Sequence, residues 1–291
     1  LSDVRRGKER KREIGVVAAL GFGVALVAAL VVTLPTLTAD LQYGGMLRND
    51  NAAFAFRILF LFAGMVTALI ATDSPTIGKE GEFFLVLTGS VIGMNFMAMA
   101  TDLVMLYLAI ESSSIALYAL AGSLRESDKS SESGLKYFLF GAFTSAILLY
   151  GFSLLYGFSG STNLYEIGAV IGQAGVGGVP TIPVILPLLF VVIGLGFKVS
   201  AVPFHFWAPD VYEGAPTPVT AFLSVASKAA GFAVLLRLML VVFPGYAGIW
   251  SNVIAALAVL TMTIGNLLAM QQRNIKRLLA YSSIAQAGYI L

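Results

Sequence analysis

Long uncharged apolar runs recur along the whole of this 291-residue sequence. A helix needs about 20 such residues to cross roughly 30 Å of hydrocarbon, whereas a membrane β-strand needs about 10 and alternates apolar with polar side chains. The runs therefore predict an all-α bundle of nine membrane-spanning helices. They cover residues 14–34, 54–71, 83–100, 103–122, 136–158, 180–205, 219–243, 250–270 and 277–291.

Charge and cysteine content exclude several classes of protein. Only 12% of the residues are charged and 58% are hydrophobic, whereas soluble domains carry about 25% charged and about 45–50% apolar residues. This composition excludes a soluble enzyme. The absence of cysteine and the single histidine exclude thiolate metal sites and His-rich metal or haem centres. With no phosphate-binding loop either, we predict that this chain binds no cofactor, no metal and no nucleic acid.

Lysine and arginine predict the orientation of the helices, because cytoplasmic loops of membrane proteins are enriched in both. With the N-terminus in the cytoplasm, thirteen of these residues fall in inner loops and only Arg48 in an outer loop. Residues 1–13 then form a basic cytoplasmic loop. The run 14–34 is too long for a secretory signal peptide, and since the chain begins without methionine, we expect a further helix upstream.

Two connecting segments have distinctive compositions. The glycine-rich stretch 175–180 ends in proline, which predicts a hinge leading into the sixth span. The stretch 163–173 is amphipathic and predicts a short segment on the membrane surface.

Ionisable residues inside the spans are the strongest functional signal. Each costs roughly 2.5–3.5 kcal/mol at a helix centre, so such groups usually face the bundle interior and mark an ion path. Glu111 lies halfway along 103–122 and is followed by three serines. The alternative is a packing carboxylate satisfied by neighbouring hydroxyls.

Lys198 lies in the sixth span, between Gly196 and Pro203. Proline lacks a backbone donor and clashes with the carbonyl four residues back, here that of Val199, so it predicts a break in the helix beside the lysine. Broken helices are tolerated in membranes only where they are buried or line a water-filled cavity. The alternative is a lysine that snorkels from a helix end.

Lys228 lies about ten residues into its span, too deep to snorkel easily. Unlike arginine, a buried lysine can gain and lose a proton, which favours proton transfer. A structural ion pair is the alternative, with Glu111 as one candidate partner. Arg237 is interpreted as snorkelling at the outer side, and Arg57 as structural.

His205 and Lys136 leave two interpretations open. His205 is the only histidine and lies at the cytoplasmic end of the broken span. Its ordinary pKa of about 6.5 suits a proton relay, but a lone histidine among aromatic residues is equally an interfacial anchor. Lys136 is the first residue of its predicted span and lies near Glu132. It is either a proton-uptake group or an ordinary lysine of the inner side, and its position favours the second interpretation.

Three segments resemble one known family. Residues 196–222 read GFKVSAVPFHFWAPDVYEGAPTPVTAF, residues 274–284 read NIKRLLAYSSI, and residues 134–139 read GLKYFL. Together they resemble the N-type antiporter-like subunit of NADH:quinone oxidoreductase, respiratory complex I. The family has 14 helices in two inverted repeats, and this chain would cover the second to the start of the tenth.

The resemblance implies a division of the chain into regions. Residues 14–82 would be N-terminal helices, 83–243 a complete first antiporter-like repeat, and 244–291 the start of a truncated second repeat. The discontinuous helix of the first repeat would be 180–205. The family's second half-channel would be missing.

The resemblance also implies a function and a location. The chain would be a proton-translocating subunit in a bacterial inner membrane, in contact with lipid and other membrane subunits, while NADH and quinone react elsewhere in the complex. The proton-handling residues would be Glu111, Lys198, Lys228, Lys136 and His205. Gln286 stands where many members carry histidine, which argues against a histidine relay at that position.

Three alternatives remain at this point. A subunit of a multi-subunit cation/proton antiporter or membrane-bound hydrogenase would share the Lys and Glu pattern. A structural membrane anchor would use its buried charges only for assembly. A solute carrier would need a selective polar cluster at the midplane, and the sequence contains none.

Overall fold

The computed structural model describes residues 2–35, 41–74, 77, 81–124, 126–174 and 182–291. A two-stranded hairpin, β1 (Leu41–Gln42) and β2 (Leu47–Arg48), precedes the second helix. The remaining elements are helices: α1 Ser2–Val32, α2 Asn51–Asp73, α3 Glu82–Met99, α4 Leu103–Ala121, α5 Asp128–Ser159, α6 Leu164–Ala174, α7 Ile182–Val199, α8 Trp207–Gly214, α9 Thr217–Phe222, α10 Lys228–Arg237, α11 Ala247–Met270 and α12 Ile275–Ile290.

The prediction of an all-α membrane bundle is confirmed. Each of the nine predicted runs overlaps a helix or, for 219–243, the continuous helical stretch through α9 and α10; in the run 180–205 the described helix covers Ile182–Val199. Within the described ranges, seven helical stretches are long and apolar enough to cross a membrane, and α7 contributes a shorter apolar segment, Val184–Val199. Many large apolar side chains on these helices are exposed, as a lipid-facing surface requires.

Three predictions about the connecting segments have different outcomes. The stretch 1–13 was expected as a loop but is helical from Ser2, because Lys, Arg and Glu are good helix formers and the apolar run continues the helix; its cytoplasmic location stays a prediction. The amphipathic stretch 163–173 corresponds to helix α6. The hinge 175–180 lies outside the described residues.

Neighbouring helices approach closely at glycine. A Cβ added at Gly93 of α3 would lie 2.8 Å from the backbone nitrogen of Ser113 in α4. A Cβ at Gly265 of α11 would lie 2.9 Å from the backbone nitrogen of Ala285 in α12. Small residues at such contacts let membrane helices gain van der Waals packing where lipid gives no hydrophobic driving force.

The sixth span is broken where the proline predicts it. Helix α7 ends at Val199, the residue whose carbonyl Pro203 would meet. Ser200 follows in a left-handed conformation with φ of 60°, and α8 begins at Trp207. The freed backbone finds partners from other parts of the fold: the Val202 N–H donates to the Thr261 hydroxyl of α11 at 2.9 Å.

The next span contains two π-helical turns, Leu223–Ser227 and Leu238–Val242. They flank α10, whose first and last residues are Lys228 and Arg237. Such turns widen a helix locally and occur often at functional sites. Both intramembrane cations of this span therefore lie beside an irregular turn.

The interpretation of Arg237 as a snorkelling residue is wrong. Its side chain is only 7% exposed, with Nη1 3.0 Å from Asp50 Oδ2 and Nη2 donating to the Ala98 carbonyl at 2.7 Å. Asp50 precedes α2, far away in the sequence, so the fold supplies a partner that the local sequence does not reveal.

Arg57 is partly buried and donates to Asn49 Oδ1 at 2.8 Å, which agrees with a structural role.

Candidate functional site

Two buried lysines lie on helices that touch each other. Lys198 at the end of α7 is 7% exposed and Lys228 at the start of α10 is 5% exposed. The two helices touch, because a Cβ added at Gly231 would lie 3.1 Å from the Lys198 Cβ. Neither side chain extends to the surface, so the snorkelling alternative for Lys198 is wrong.

Helix α4 connects Lys198 to Glu111. The Lys198 ammonium donates a hydrogen bond to the hydroxyl of Ser114, and Glu111 lies one turn earlier on the same helix. The half-buried Glu111 carboxylate accepts a hydrogen bond from Ser145 of α5. Glu111 and Lys198 are therefore linked through α4, and within the described part of the chain they form no direct ion pair.

Lys228 makes its contacts with α8 and α12. Its ammonium donates to the carbonyl of Ser283 in α12 at 2.8 Å and lies 6.0 Å from the centre of the Tyr212 ring in α8. The structure therefore gives Lys228 a carbonyl partner and not the ion pair with Glu111 that we considered. Glu111, Lys198 and Lys228 follow one another across α4, α7 and α10.

His205 lies within the helix break, next to α12. It is 3% exposed, with its ring centre 4.4 Å from that of Phe206 and 6.5 Å from that of Tyr281. Neither ring nitrogen has a partner of good hydrogen-bond geometry in the ranges that the structure describes. The burial disfavours an interfacial anchor, and a relay role stays a prediction.

Lys136 belongs to a group of charges that we call the ionic cluster, which lines a cavity of about 150 Å³. Lys136 Nζ lies 2.7 Å from both Glu132 and Asp210. Arg277 Nη1 lies 2.6 Å from the same Asp210 and 3.2 Å from Glu213. The cluster joins α5, α8 and α12, and consists of Lys129, Glu132, Lys136, Asp210, Glu213 and Arg277. The sequence revealed only the Lys136–Glu132 pair.

The cations of the ionic cluster lower the pKa of both carboxyl groups on α8. Burial alone would raise the pKa of Asp210, but hydrogen bonds from Lys136 and Arg277 outweigh it and lower that pKa. A hydrogen bond from Lys129 is the main reason that the pKa of Glu213 is lowered, against a smaller effect of burial. Both groups therefore stay ionised at neutral pH.

These lowered pKa values predict a loss of stability in acid. The folded chain binds protons at Asp210 and Glu213 more weakly than the unfolded chain, so both stabilise the fold above the ordinary carboxyl pKa of about 4. That contribution disappears as the pH falls through the lower folded values. We expect Asp210→Asn to lower the midpoint of thermal unfolding in detergent at pH 7 and to weaken its decline below about pH 4. Glu166→Gln, at an exposed site on α6, is the control, and identical acid profiles for Asp210→Asn and wild type would contradict the prediction.

Three contacts at this site come from residues that the sequence did not single out. Tyr212 and Ser283 contact Lys228, and Ser145 contacts Glu111. Tyr212 and Ser283 lie within the segments that resemble the known family, which is the one signal that could have found them.

Comparison with known proteins places this arrangement among membrane subunits. The family model described as "NADH:quinone oxidoreductase/Mrp antiporter, TM" matches residues 100–291. NADH-quinone oxidoreductase subunit N 1 of Roseiflexus castenholzii is 44% identical over 97% of this chain and 60% of its own length. The chain thus spans little more than half the length of such relatives.

Solved structures share the fold. A chain of respiratory complex I from Thermus thermophilus with bound aureothin is 34% identical, with a TM-score of 0.77 over 96% of this chain and 58% of that one. A chain of the Mrp complex from Dietzia sp. is 23% identical, with a TM-score of 0.82 over 98% of this chain and 31% of that one. The second likeness concerns the fold alone.

Proposed function

Because the chain belongs to the family of membrane subunits shared by NADH:quinone oxidoreductase and Mrp antiporters, we propose that it translocates protons as part of a bacterial NADH:quinone oxidoreductase. NADH oxidation and quinone reduction take place elsewhere in that complex, and this chain supplies no redox centre. It sits in the inner membrane among other membrane subunits, with residues 1–13 in the cytoplasm. Residues 83–243 act as one antiporter-like repeat.

The observation that carries the proposal is the intramembrane row of the half-buried Glu111 and the buried Lys198 and Lys228. Lys198 lies at a break in its helix. Its ammonium donates to Ser114 of α4, the helix that also carries Glu111. A lysine amine can hold a proton and release it, which an arginine cannot do. The row therefore provides two successive proton-holding groups controlled by one negative charge.

The energies support this mechanism. Two unit charges about 8 Å apart interact by about 2 kcal/mol at an effective dielectric constant near 20. Moving one charge against 100 mV costs about 2.3 kcal/mol. Quinone reduction elsewhere in the complex alters the charge near Glu111, which shifts the proton affinity of Lys198, and the proton then passes to Lys228. From there it continues across α12, whose Ser283 carbonyl already contacts Lys228.

The test removes the charge of Glu111 and keeps its shape. In Glu111→Gln the amide can still accept the hydrogen bond from Ser145, so packing is preserved while the electrostatic control of Lys198 is lost. We expect proton pumping per assembled complex to fall at least about tenfold, because losing an interaction of about 2 kcal/mol shifts the proton equilibrium of Lys198 by more than tenfold. The measurement is NADH-driven acidification of reconstituted vesicles.

The control is Glu166→Gln, which removes an exposed glutamate on α6 and should pump normally. Assembly is followed by the quinone reductase activity recovered with the purified complex. A structural anchor predicts that Glu111→Gln reduces the amount of complex and leaves pumping per complex unchanged. That outcome would refute the proposed function.

A further inference from the structure

Helix α8 has two different faces. Asp210 and Glu213 point outward into the ionic cluster, where they pair with α5 and α12. Tyr212 points the other way and is only 1% exposed. An eight-residue helix thus connects a charged surface group directly to the buried interior.

Tyr212 is held firmly in its orientation. Its ring makes an edge contact with Trp207, with centres 6.3 Å apart and planes at 74°. The backbone carbonyl of Tyr212 accepts a hydrogen bond from the Thr220 hydroxyl at 3.1 Å. Trp207 in turn stacks on Tyr137 at 4.5 Å. The side chain therefore presents a fixed ring and does not merely fill space.

The ring meets Lys228 and Ser283. The Lys228 ammonium is 6.0 Å from the ring centre and donates to the Ser283 carbonyl at 2.8 Å. The Tyr212 hydroxyl faces the side chain of Ser283 but completes no hydrogen bond within the described ranges. Residues of α8, α10 and α12 thus converge on one ammonium group.

An aromatic face attracts a cation most strongly where water is excluded, and Lys228 is 5% exposed. Lysine has a flexible four-carbon stem and would otherwise sample several positions. We propose that Tyr212 is a positioning residue for Lys228, whose ring face holds the ammonium against the Ser283 carbonyl. This inference rests on the proposed function, in which Lys228 carries the proton.

The test changes the electronic character of the ring and keeps its shape. Tyr212→Phe retains the negative ring face, whereas Tyr212→pentafluorophenylalanine reverses it. We expect Tyr212→Phe to pump within about twofold of wild type and the fluorinated variant to pump about three- to tenfold less per assembled complex. The same two substitutions at Tyr246, a buried tyrosine in the turn just before α11, should give variants that pump equally.

Equal pumping by the two ring variants at position 212 would overturn the inference. A second measurement does not depend on pumping: the fluorinated variant should unfold at a lower temperature than Tyr212→Phe, and this difference should vanish in a Lys228→Met background. A difference that persists there indicates ordinary packing and also overturns the inference. Normal pumping by Lys228→Met alone would instead refute the proposed function, while the unfolding measurement would still decide whether the ring holds Lys228.

Discussion

Lys228→Met is expected to abolish proton pumping by the assembled complex, with a loss of about a hundredfold that is typical for removing a proton-transfer group. The amine is buried between α8, α10 and α12, and its only hydrogen bond among the described residues goes to the Ser283 carbonyl. Methionine fills a similar volume and is tolerated in irregular packing, so the bundle should still assemble. The measurement is NADH-driven acidification of vesicles that contain the purified complex.

Two further variants make the result specific. Lys228→Arg keeps a positive charge but cannot release its proton, so it should be as inactive as Lys228→Met. Arg273→Met removes an exposed basic residue next to α12 and should pump normally. Pumping by Lys228→Arg at the wild-type rate would mean that only the charge matters and that no proton passes through this site.

Asp50→Ala should lower the free energy of unfolding more than any other single substitution described above. It leaves the guanidinium of Arg237, which is 7% exposed, without its only carboxylate partner among the described residues, and leaving a buried charge unpaired in this way costs about 3–5 kcal/mol. Asp50 also caps α2 by accepting a hydrogen bond from the Ala53 N–H at 2.8 Å, and the loss of such a cap costs about 1 kcal/mol. The measurement is equilibrium unfolding in mixed detergent micelles.

Asn274→Ala separates the two effects. Asn274 is an exposed residue that caps α12 by accepting a hydrogen bond from the Lys276 N–H at 2.9 Å, and its removal leaves no buried charge behind. The double variant Asp50→Ala, Arg237→Met should recover much of the lost stability, since it removes the orphaned cation as well. If Asp50→Ala and Asn274→Ala lower the stability equally, the ion pair with Arg237 contributes little.

The sequence predicts helices well because the bilayer imposes a length and a polarity on each one. The break at Val199 follows from Pro203 in the same way, by local sterics that need no knowledge of the fold. Arg237 shows the limit of this reasoning. Its partner Asp50 is 187 residues away, and no local pattern links a residue before the second span to one near the end of the seventh.

The same distinction applies to the candidate site. Glu111, Lys198 and Lys228 stand out because a charge in an apolar run is costly and needs a reason. Tyr212 and Ser283 carry no such signal, since tyrosine and serine are unremarkable in membrane helices. Their importance comes only from the way α8 and α12 meet around Lys228, which is a property of the tertiary structure.

The hydrogen bond from the Val202 N–H to Thr261 has a consequence for biosynthesis. The two residues are 59 positions apart, so at about 5–20 residues per second the ribosome makes Thr261 roughly 3–12 seconds after Val202. Until α11 inserts, the break contains a backbone donor without its final partner, in a medium where such a group costs several kcal/mol. The nascent chain must therefore pass through a stage in which this region is immature, and membrane insertases or quality-control proteases have their best opportunity to act on it during that interval.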